Sequence, residues 1–363
     1  MKLFRKRSAT NLSGRSLDRM AWHRFRRNPL SVASLVVIGL FAVTALLGYL
    51  ITPDSTPFCN QQYLELATLK PFSKATFLIT DENTSSSSHR SPLSTMLHGQ
   101  PLPYTATPIL GHERSADSIV ATPYNGDPIV VAASEARVQT RTFVLGTDAY
   151  GRDVLSMLII GSRVSLSVGF IALIIALIIG ITLGAVAAYR GGWVDNLVMW
   201  LINVVWSIPT VLLVIAITFA LGKGFWQIFI AVGLTMWVDI ARVVRGEVLS
   251  IKEKEYIEAT RALGYSTFRT IFRHILPNIA GAIIVIAASN FATAILLEAG
   301  LSYLGIGVQP PMPSWGMMVK DNTGYILLDS AYLALLPGAA IMIIVLAFML
   351  LGNGLRDSLD IKN

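Results

Sequence analysis

Residues 255–278 read EYIEATRALGYSTFRTIFRHILPN, a charged and glycine-interrupted stretch between two long apolar runs. Glu255 to Leu263 favours helix and sets Tyr256, Ala259, Thr260 and Leu263 on one face at i, i+3, i+4, i+7. Gly264 follows, the residue type expected where a helix closes in the left-handed region. Ser266 suits the N-cap of a second helix, with Phe268, Ile271, Phe272 and Ile275 on one face and Arg269 and Arg273 on another. Pro277 is expected to end that helix before the next apolar run. Two readings stay open for this pair of short helices. One is an amphipathic loop lying on a leaflet; the other is a docking element held in a cleft of a partner. A helix lying flat needs no glycine corner, whereas a knuckle presented to a partner does.

Other ionisable residues carry weaker signals. Asp239, three residues before Arg242, lies within an apolar run, where acids often mark ion or proton sites. Its nearness to Arg242 favours a paired interfacial acid. Glu298 is expected to be a satisfied acid at the end of another run, with a gate contact as the second reading. Asp148, Arg152 and Asp153 in GTDAYGRD resemble a metal or phosphate loop, but beside a span they read as a helix entry with internal ion pairing. His23, His89, His98, His112 and His274 are too scattered for a metal site. Cys59, the only cysteine, is expected to be a free structural thiol. No metal or other cofactor is expected.

The elements that position these residues follow from composition. The chain is 53% hydrophobic and only 14% charged, with a mean hydropathy of +0.59. Soluble domains carry about 25% charged residues. Backbone amides in hydrocarbon must bond internally, so runs near 20 residues should be helices. Six are expected: Leu30 to Leu50, Ser165 to Tyr189, Asn196 to Leu221 with a kink at Pro209, Phe225 to Val244, Ile279 to Leu297, and Tyr332 to Leu351. The Trp residues at 193, 200, 206, 226, 237 and 315 are expected mostly near span ends, as an interfacial belt.

The charge pattern orients the spans. Lys2, Arg5, Lys6, Arg7, Arg15, Arg19, Arg24, Arg26 and Arg27 precede the first span against one acid, Asp18. In a soluble chain such an arm would point to nucleic acid; here it places the N-terminus in the cytoplasm, and no nucleic-acid partner is expected. Residues 242–278 carry seven basic residues against four acids, and Arg356 and Lys362 follow the last span. Six spans therefore return the C-terminus to the cytoplasm. The first span reads as a retained anchor rather than a cleaved signal. The expected organisation is a basic arm over 1–29, an anchor helix over 30–52, an extracytoplasmic loop or small cap over 53–145, and a core over 146–363 with its cytoplasmic loop at 242–278. The extracytoplasmic segment is rich in Ser, Thr and Pro (SSSSHR, GQPLPYTATP), and DPIVVAAS within it has strand character.

The opening stretch resembles the EAA loop of ABC importer permeases. EATRALG, nine residues, then HILP set Glu258, Ala259, Thr260, Gly264, His274, Leu276 and Pro277 on that pattern, with Thr260 for the second alanine. FRHILPN is similar to the dipeptide, oligopeptide and nickel branch. VLGTDAYGRDVLSMLIIGSRVSLSVG, EAGLSYLGIGVQPPMPSWGMM and LPGAAIMIIVLAFMLLGNGLRDSLD resemble segments of its C-type subunit, in the same order. The long segment 53–145 is the departure from that pattern.

The resemblance implies an all-α integral membrane protein, a type I ABC importer permease with six transmembrane helices in the cytoplasmic (inner) membrane. It implies half of a translocation pathway. A second homologous permease subunit, two cytoplasmic ATP-binding subunits and an extracytoplasmic solute-binding protein would complete the system. The chain itself is then no enzyme, and no G-x-x-x-x-G-K-[ST] phosphate loop occurs in it. Glu258, Ala259, Thr260, Gly264, Leu276 and Pro277 would couple to the ATPase, with Glu258 pairing to a basic residue there. Di- or oligopeptides are the expected cargo, with nickel or another small solute as the alternative. A stand-alone secondary transporter is a further rival. It calls for midplane charges, which the second, fifth and sixth runs lack. A membrane enzyme would need convergent His, Asp, Ser or Cys, and none is seen.

Overall fold

The structure is a computed structural model and describes residues 17–81, 91–222 and 224–359. The SSSSHR tract, most of the basic arm, His89 and Lys362 lie outside those residues. Helix α1 (Leu17–Arg27) leads into α2 (Pro29–Ile51), whose start is fixed by Asn28. The Asn28 side chain accepts from the Leu30 amide at 3.0 Å, and Pro29 sits where its missing amide costs nothing. The apolar core then runs through α4 (Val154–Arg190), α7 (Phe225–Lys252), α10 (Leu276–Tyr303) and α11 (Tyr332–Leu359). Five helices of the described residues are long and apolar enough to cross a membrane.

The third expected span differs. Residues 192–221 form two helices, α5 (Gly192–Trp206) and α6 (Thr210–Leu221), that meet at 93° across Ser207–Pro209. Pro209 imposes φ −54 with an extended ψ and cannot donate to the preceding turn, so the helix breaks there instead of bending gently.

The centre of the bundle is the seam between α4 and α7. Ala172, Ala176, Gly180, Gly184 and Ala188 recur every four residues along α4, and all are buried. A Cβ at Gly184 would lie 2.5 Å from the Ala241 carbonyl, and one at Gly180 would lie 2.7 Å from Ile240 Cβ. Gly233 on α7 has Ile175 Cβ at the same 2.7 Å. Lipid offers no hydrophobic drive to pair apolar helices, so close van der Waals approach along small residues has to hold them. Burial follows: 67% of the most apolar stretch of α7 lies inside the chain, against 17% for α2. Trp237 and Trp315 are buried in this bundle, not in an interfacial belt; Trp193, Trp200, Trp206 and Trp226 are exposed.

The segment after α2 carries a sheet among its described residues, not a bare loop. Strands β1 (Ser73–Asp81), β2 (Tyr104–Arg114), β3 (Ser118–Pro123), β4 (Ile129–Ala132) and β5 (Ala136–Phe143) pair antiparallel in the order β4-β3-β2-β1-β5. A short helix, α3 (Pro92–His98), precedes β2. The strand-like DPIVVAAS supplies β4. Alternation along β1 sends Phe77 and Ile79 to one side with Leu66 and Phe143, and Leu78 to the other with Ile109 and Ile119.

The sheet is tied to the bundle through GTDAYGRD. Thr68 N donates to Asp148 O at 2.9 Å, Leu69 N to Thr147 Oγ1 at 2.8 Å, and Tyr332 OH to Leu69 O at 2.8 Å. Within the turn, Asp148 accepts from the Tyr150 and Arg152 amides and pairs with the Arg152 guanidinium at 2.6 Å, while Asp153 caps α4. The turn is thus a helix entry with internal pairing. Burial pushes the Asp153 carboxyl above the usual carboxylate range, against the pull of the Ser156 hydroxyl and amide.

Glu298 is fully buried inside the bundle, near the end of α10. It accepts from Ser165 Oγ on α4 at 2.9 Å and from Ser302 Oγ at 2.8 Å. Ser302 Oγ in turn accepts from Val308 N, so one carboxyl ties α4, α10 and the following loop. Glu298→Leu orphans both hydroxyls, each at a cost of about 1–3 kcal/mol, whereas Glu298→Gln keeps an acceptor in place. Thermal unfolding in detergent should rank wild type, Gln and Leu in falling order, with the larger step to Leu.

Candidate functional site

The knuckle starts where α7 ends. Lys252 Nζ donates to Ala188 O at the end of α4 (3.1 Å), and Arg245 binds Asp195 of α5 through two bonds of 2.7 Å. This end of the bundle is therefore clamped by a bidentate charge pair. Asp195→Asn or Arg245→Ala should each cost about 1–3 kcal/mol, and Arg245→Lys should not restore the planar fork. A double-mutant cycle on thermal unfolding should show most of that cost as coupling between the two residues.

Helix α8 (Glu255–Ala262) then crosses below the clamp. Its inward face is Ile257 and Thr260; the Thr260 hydroxyl donates to the Ile257 carbonyl at 2.7 Å. Tyr256, Ala259 and Leu263 are exposed, so the four residues expected on one face are divided, with Thr260 facing the core. Arg261 lies over the Tyr189 ring at 5.2 Å, joining α8 to the end of α4. Glu258 is exposed, and its carboxylate has no ion pair or hydrogen bond within the described residues.

Gly264 makes the corner at φ +73. Its amide donates to Arg261 O and the Tyr265 amide to Thr260 O, the two bonds of a Schellman closure. Ser266 then caps α9 (Thr267–Thr270), accepting from the Arg269 amide. Both turn residues fall where the sequence places them.

Pro277 does not end the second helix. Residues 271–275 form a π turn, the Leu276 amide reaches back five residues to Ile271 O, and the chain continues as one helical run from Thr267 to Tyr303. A wider turn relieves the clash of the proline ring with the preceding turn and needs no amide from it. The second arm of the knuckle is thus the beginning of a long span. Ile271 and Ile275 bury against the core, while Phe268 and Phe272 are exposed and contact each other at 4.3 Å between centroids. Leu276 is partly buried and Pro277 exposed behind them. His274 stacks on Tyr265 at 5.6 Å, and Arg269 covers the other partner of that stack at 4.2 Å. The outward surface combines Tyr256, Leu263, Phe268 and Phe272 with the carboxylate of Glu258 and the guanidinium of Arg273.

Comparison with known proteins matches residues 180–362 to the model of the binding-protein-dependent transport system inner membrane component. That stretch holds the knuckle and spans half the chain. The chain belongs to this family of ABC importer permeases. Residues 16–71 also match the N-terminal transmembrane domain of oligopeptide transport permease C. The strands, over 73–143, lie between the two matched stretches.

Relatives of the permease include the dipeptide transport system permease protein DppC of Alkalihalophilus pseudofirmus, 44% identical over 60% of this chain and 71% of that protein. The oligopeptide transport system permease protein OppC of Bacillus subtilis is 40% identical over 60% and 71%. The glutathione transport system permease protein GsiD of Pectobacterium atrosepticum is 39% identical over 60% and 72%. A chain of an inward-facing MetNI methionine ABC transporter overlays 56% of the permease at TM-score 0.46 and 20% identity, too loose a match to weigh. The permease is a multi-pass inner-membrane subunit that works with ATPase and binding-protein subunits and does not itself hydrolyse ATP.

Two residues behave otherwise than the sequence indicates. Asp239 forms no ion pair with Arg242, which lies 3.8 Å from the Trp206 ring centroid instead. Asp239 also stands fifteenth in a 28-residue helix, well inside α7. The sequence shortened this span because charges truncate a hydropathy run, whereas the small-residue seam carries α7 on to Lys252.

Proposed function

We propose that the permease forms one half of a di- or oligopeptide pathway and receives the ATPase stroke through the Gly264 knuckle. A second homologous permease subunit would complete the pathway, two ATP-binding subunits would sit below it, and both termini would face the cytoplasm. Counting the α5–α6 pair as one traverse gives six crossings. The observation that carries the reading is mechanical. From Thr267, just past the corner and its Ser266 cap, the chain is helical without interruption to Tyr303, so force on the exposed arm is delivered directly to α10. On the other side, α8 is braced by Ile257, Thr260 and Arg261 against the clamp of α4, α5 and α7.

In this arrangement Glu258 supplies an unpaired carboxylate to a basic residue of the ATPase, and Ala259 lets the surfaces approach. Phe268, Phe272 and Leu263 fill the apolar part of its groove. Thr260, Leu276 and Pro277 act from behind, Thr260 by holding α8 to the core and the other two by passing motion into α10. Closing two ATPase subunits then swings the knuckle as a rigid body between inward-open and outward-open states. Peptide cargo rests on the relatives named for dipeptide, oligopeptide and glutathione transport.

Tagged permease purified in mild detergent should retain two ATP-binding subunits for each permease pair. Glu258→Arg should lower the ATPase stimulation by loaded binding protein about tenfold, the scale of a lost charge-assisted contact. Retention of no ATP-binding subunit, or full stimulation in Glu258→Arg, would contradict the proposal.

A further inference from the structure

Helix α7 carries two stripes of opposite character. Trp226, Ile230 and Leu234, four residues apart, make an exposed apolar stripe suited to lipid. Half a turn away, Thr235, Asp239, Arg242 and Gly246 follow at i, i+4, i+7, i+11. Asp239 is exposed on that second stripe, at spanning depth, and its carboxylate has no hydrogen bond or ion pair among the described residues. A bare carboxylate facing hydrocarbon at that depth is costly, so intramembrane acids face water, a partner or a pathway.

The surroundings of Asp239 form a cavity. The 93° elbow of α5 and α6 stands off from α7 and α10 and leaves a hollow of about 120 Å³. Trp206, Thr210, Thr235, Asp239, Thr293 and Leu297 line it. The carboxylate is the one acid in this lining. Arg242 lies on the face of Trp206 and forms no ion pair with Asp239, although its charge still acts on that acid. Two of the hydroxyls, Thr235 and Thr293, already donate to carbonyls of their own helices. The cavity therefore presents a carboxylate with no ion-pair partner, its charge offset only in part by Arg242 on the Trp206 face, which suits a small cationic group.

We infer that Asp239, in the hollow beneath the α5–α6 elbow, is a transit site for the cationic head of the solute, the protonated α-amine of a peptide. The assignment of the amine rests on the peptide reading above. The ammonium would meet the carboxylate as the solute passes, and the Trp206 side would accommodate the adjoining apolar part.

The test uses the assembled transporter in proteoliposomes, with tri-alanine as the probe peptide. Asp239→Cys in a Cys59→Ser chain should react with 2-aminoethyl methanethiosulfonate, a water-borne reagent, and tri-alanine delivered by its binding protein should slow that reaction. In the otherwise native chain, Asp239→Asn should lower tri-alanine uptake about tenfold, the scale of one charge-assisted hydrogen bond, while Asp239→Glu stays within about threefold. An unreactive thiol in the Asp239→Cys chain would mean a position sealed against the second permease and would overturn the inference. Full uptake by Asp239→Asn would overturn it too and leave the peptide reading standing. A wild-type transporter that hydrolyses ATP but moves no tri-alanine would refute the peptide reading, and the amine assignment with it.

Discussion

Gly264→Val should abolish most uptake while leaving the chain in the membrane at near-normal level. The corner sits at φ +73, where a β-branched residue is strained by about 1–3 kcal/mol. A Cβ at Gly264 meets nothing within 4 Å, so the effect would come from the backbone and not from a clash. That strain shifts the balance between the Schellman corner and an opened one by roughly ten- to a hundredfold. An opened corner tilts α8 away from the arm that continues into α10, so the ATPase can turn over without moving the span. Uptake per ATP hydrolysed should therefore fall at least about tenfold. Gly264→Asn should keep most activity, since asparagine enters the left-handed region at lower cost. Equal loss in Val and Asn variants would point away from the backbone conformation.

Gly184→Leu should act on the fold itself. Its Cβ would lie 2.5 Å from Ala241 O and 3.1 Å from Ala241 Cα, both backbone atoms that cannot rotate away. The α4–α7 seam would have to open along several turns. Overpacking of this kind costs about 1–3 kcal/mol or more, and here it also forfeits the close contact that substitutes for hydrophobic drive in lipid. The membrane level of the chain should drop about tenfold, with loss of co-purifying ATP-binding subunit. Gly39→Leu on α2 is the matched control: nothing lies within 4 Å of that Cβ, and the level should be unchanged. Comparable loss at both positions would mean that added bulk in any span is harmful and that the seam has no special role.

The features legible in the sequence were those written in local chemistry. Gly264 and Ser266 announce the corner because only a few residue types serve a left-handed turn and an N-cap. The long apolar runs announce the spans because hydrocarbon admits little else. Tertiary choices were harder to read. Phe268, Ile271, Phe272 and Ile275 share a periodicity, and nothing local distinguishes the isoleucines that bury from the phenylalanines that stay outside. Pro277 marks a stop under ordinary helix rules; a π turn that absorbs it depends on α10 being held by the bundle on its far side. The five-stranded sheet left only the trace DPIVVAAS, since β2 and β5 interleave polar and charged residues (YTATPILGHER, ARVQTRTF) and offer no apolar run. The spacing of Ala172, Ala176, Gly180 and Gly184 was present all along as a packing signal, but a hydropathy scan averages small residues into the apolar run and loses it.

Site-directed cross-linking tests the coupling claim most directly. A cysteine replacing Glu258 in a Cys59→Ser chain, in the assembled transporter, should cross-link to an ATP-binding subunit through a short bifunctional thiol–amine reagent. A cysteine replacing Val130, exposed on β4 of the sheet, should not. Capture of the ATP-binding subunit from position 130, or its absence from position 258 in a transporter that hydrolyses ATP normally, would contradict the account.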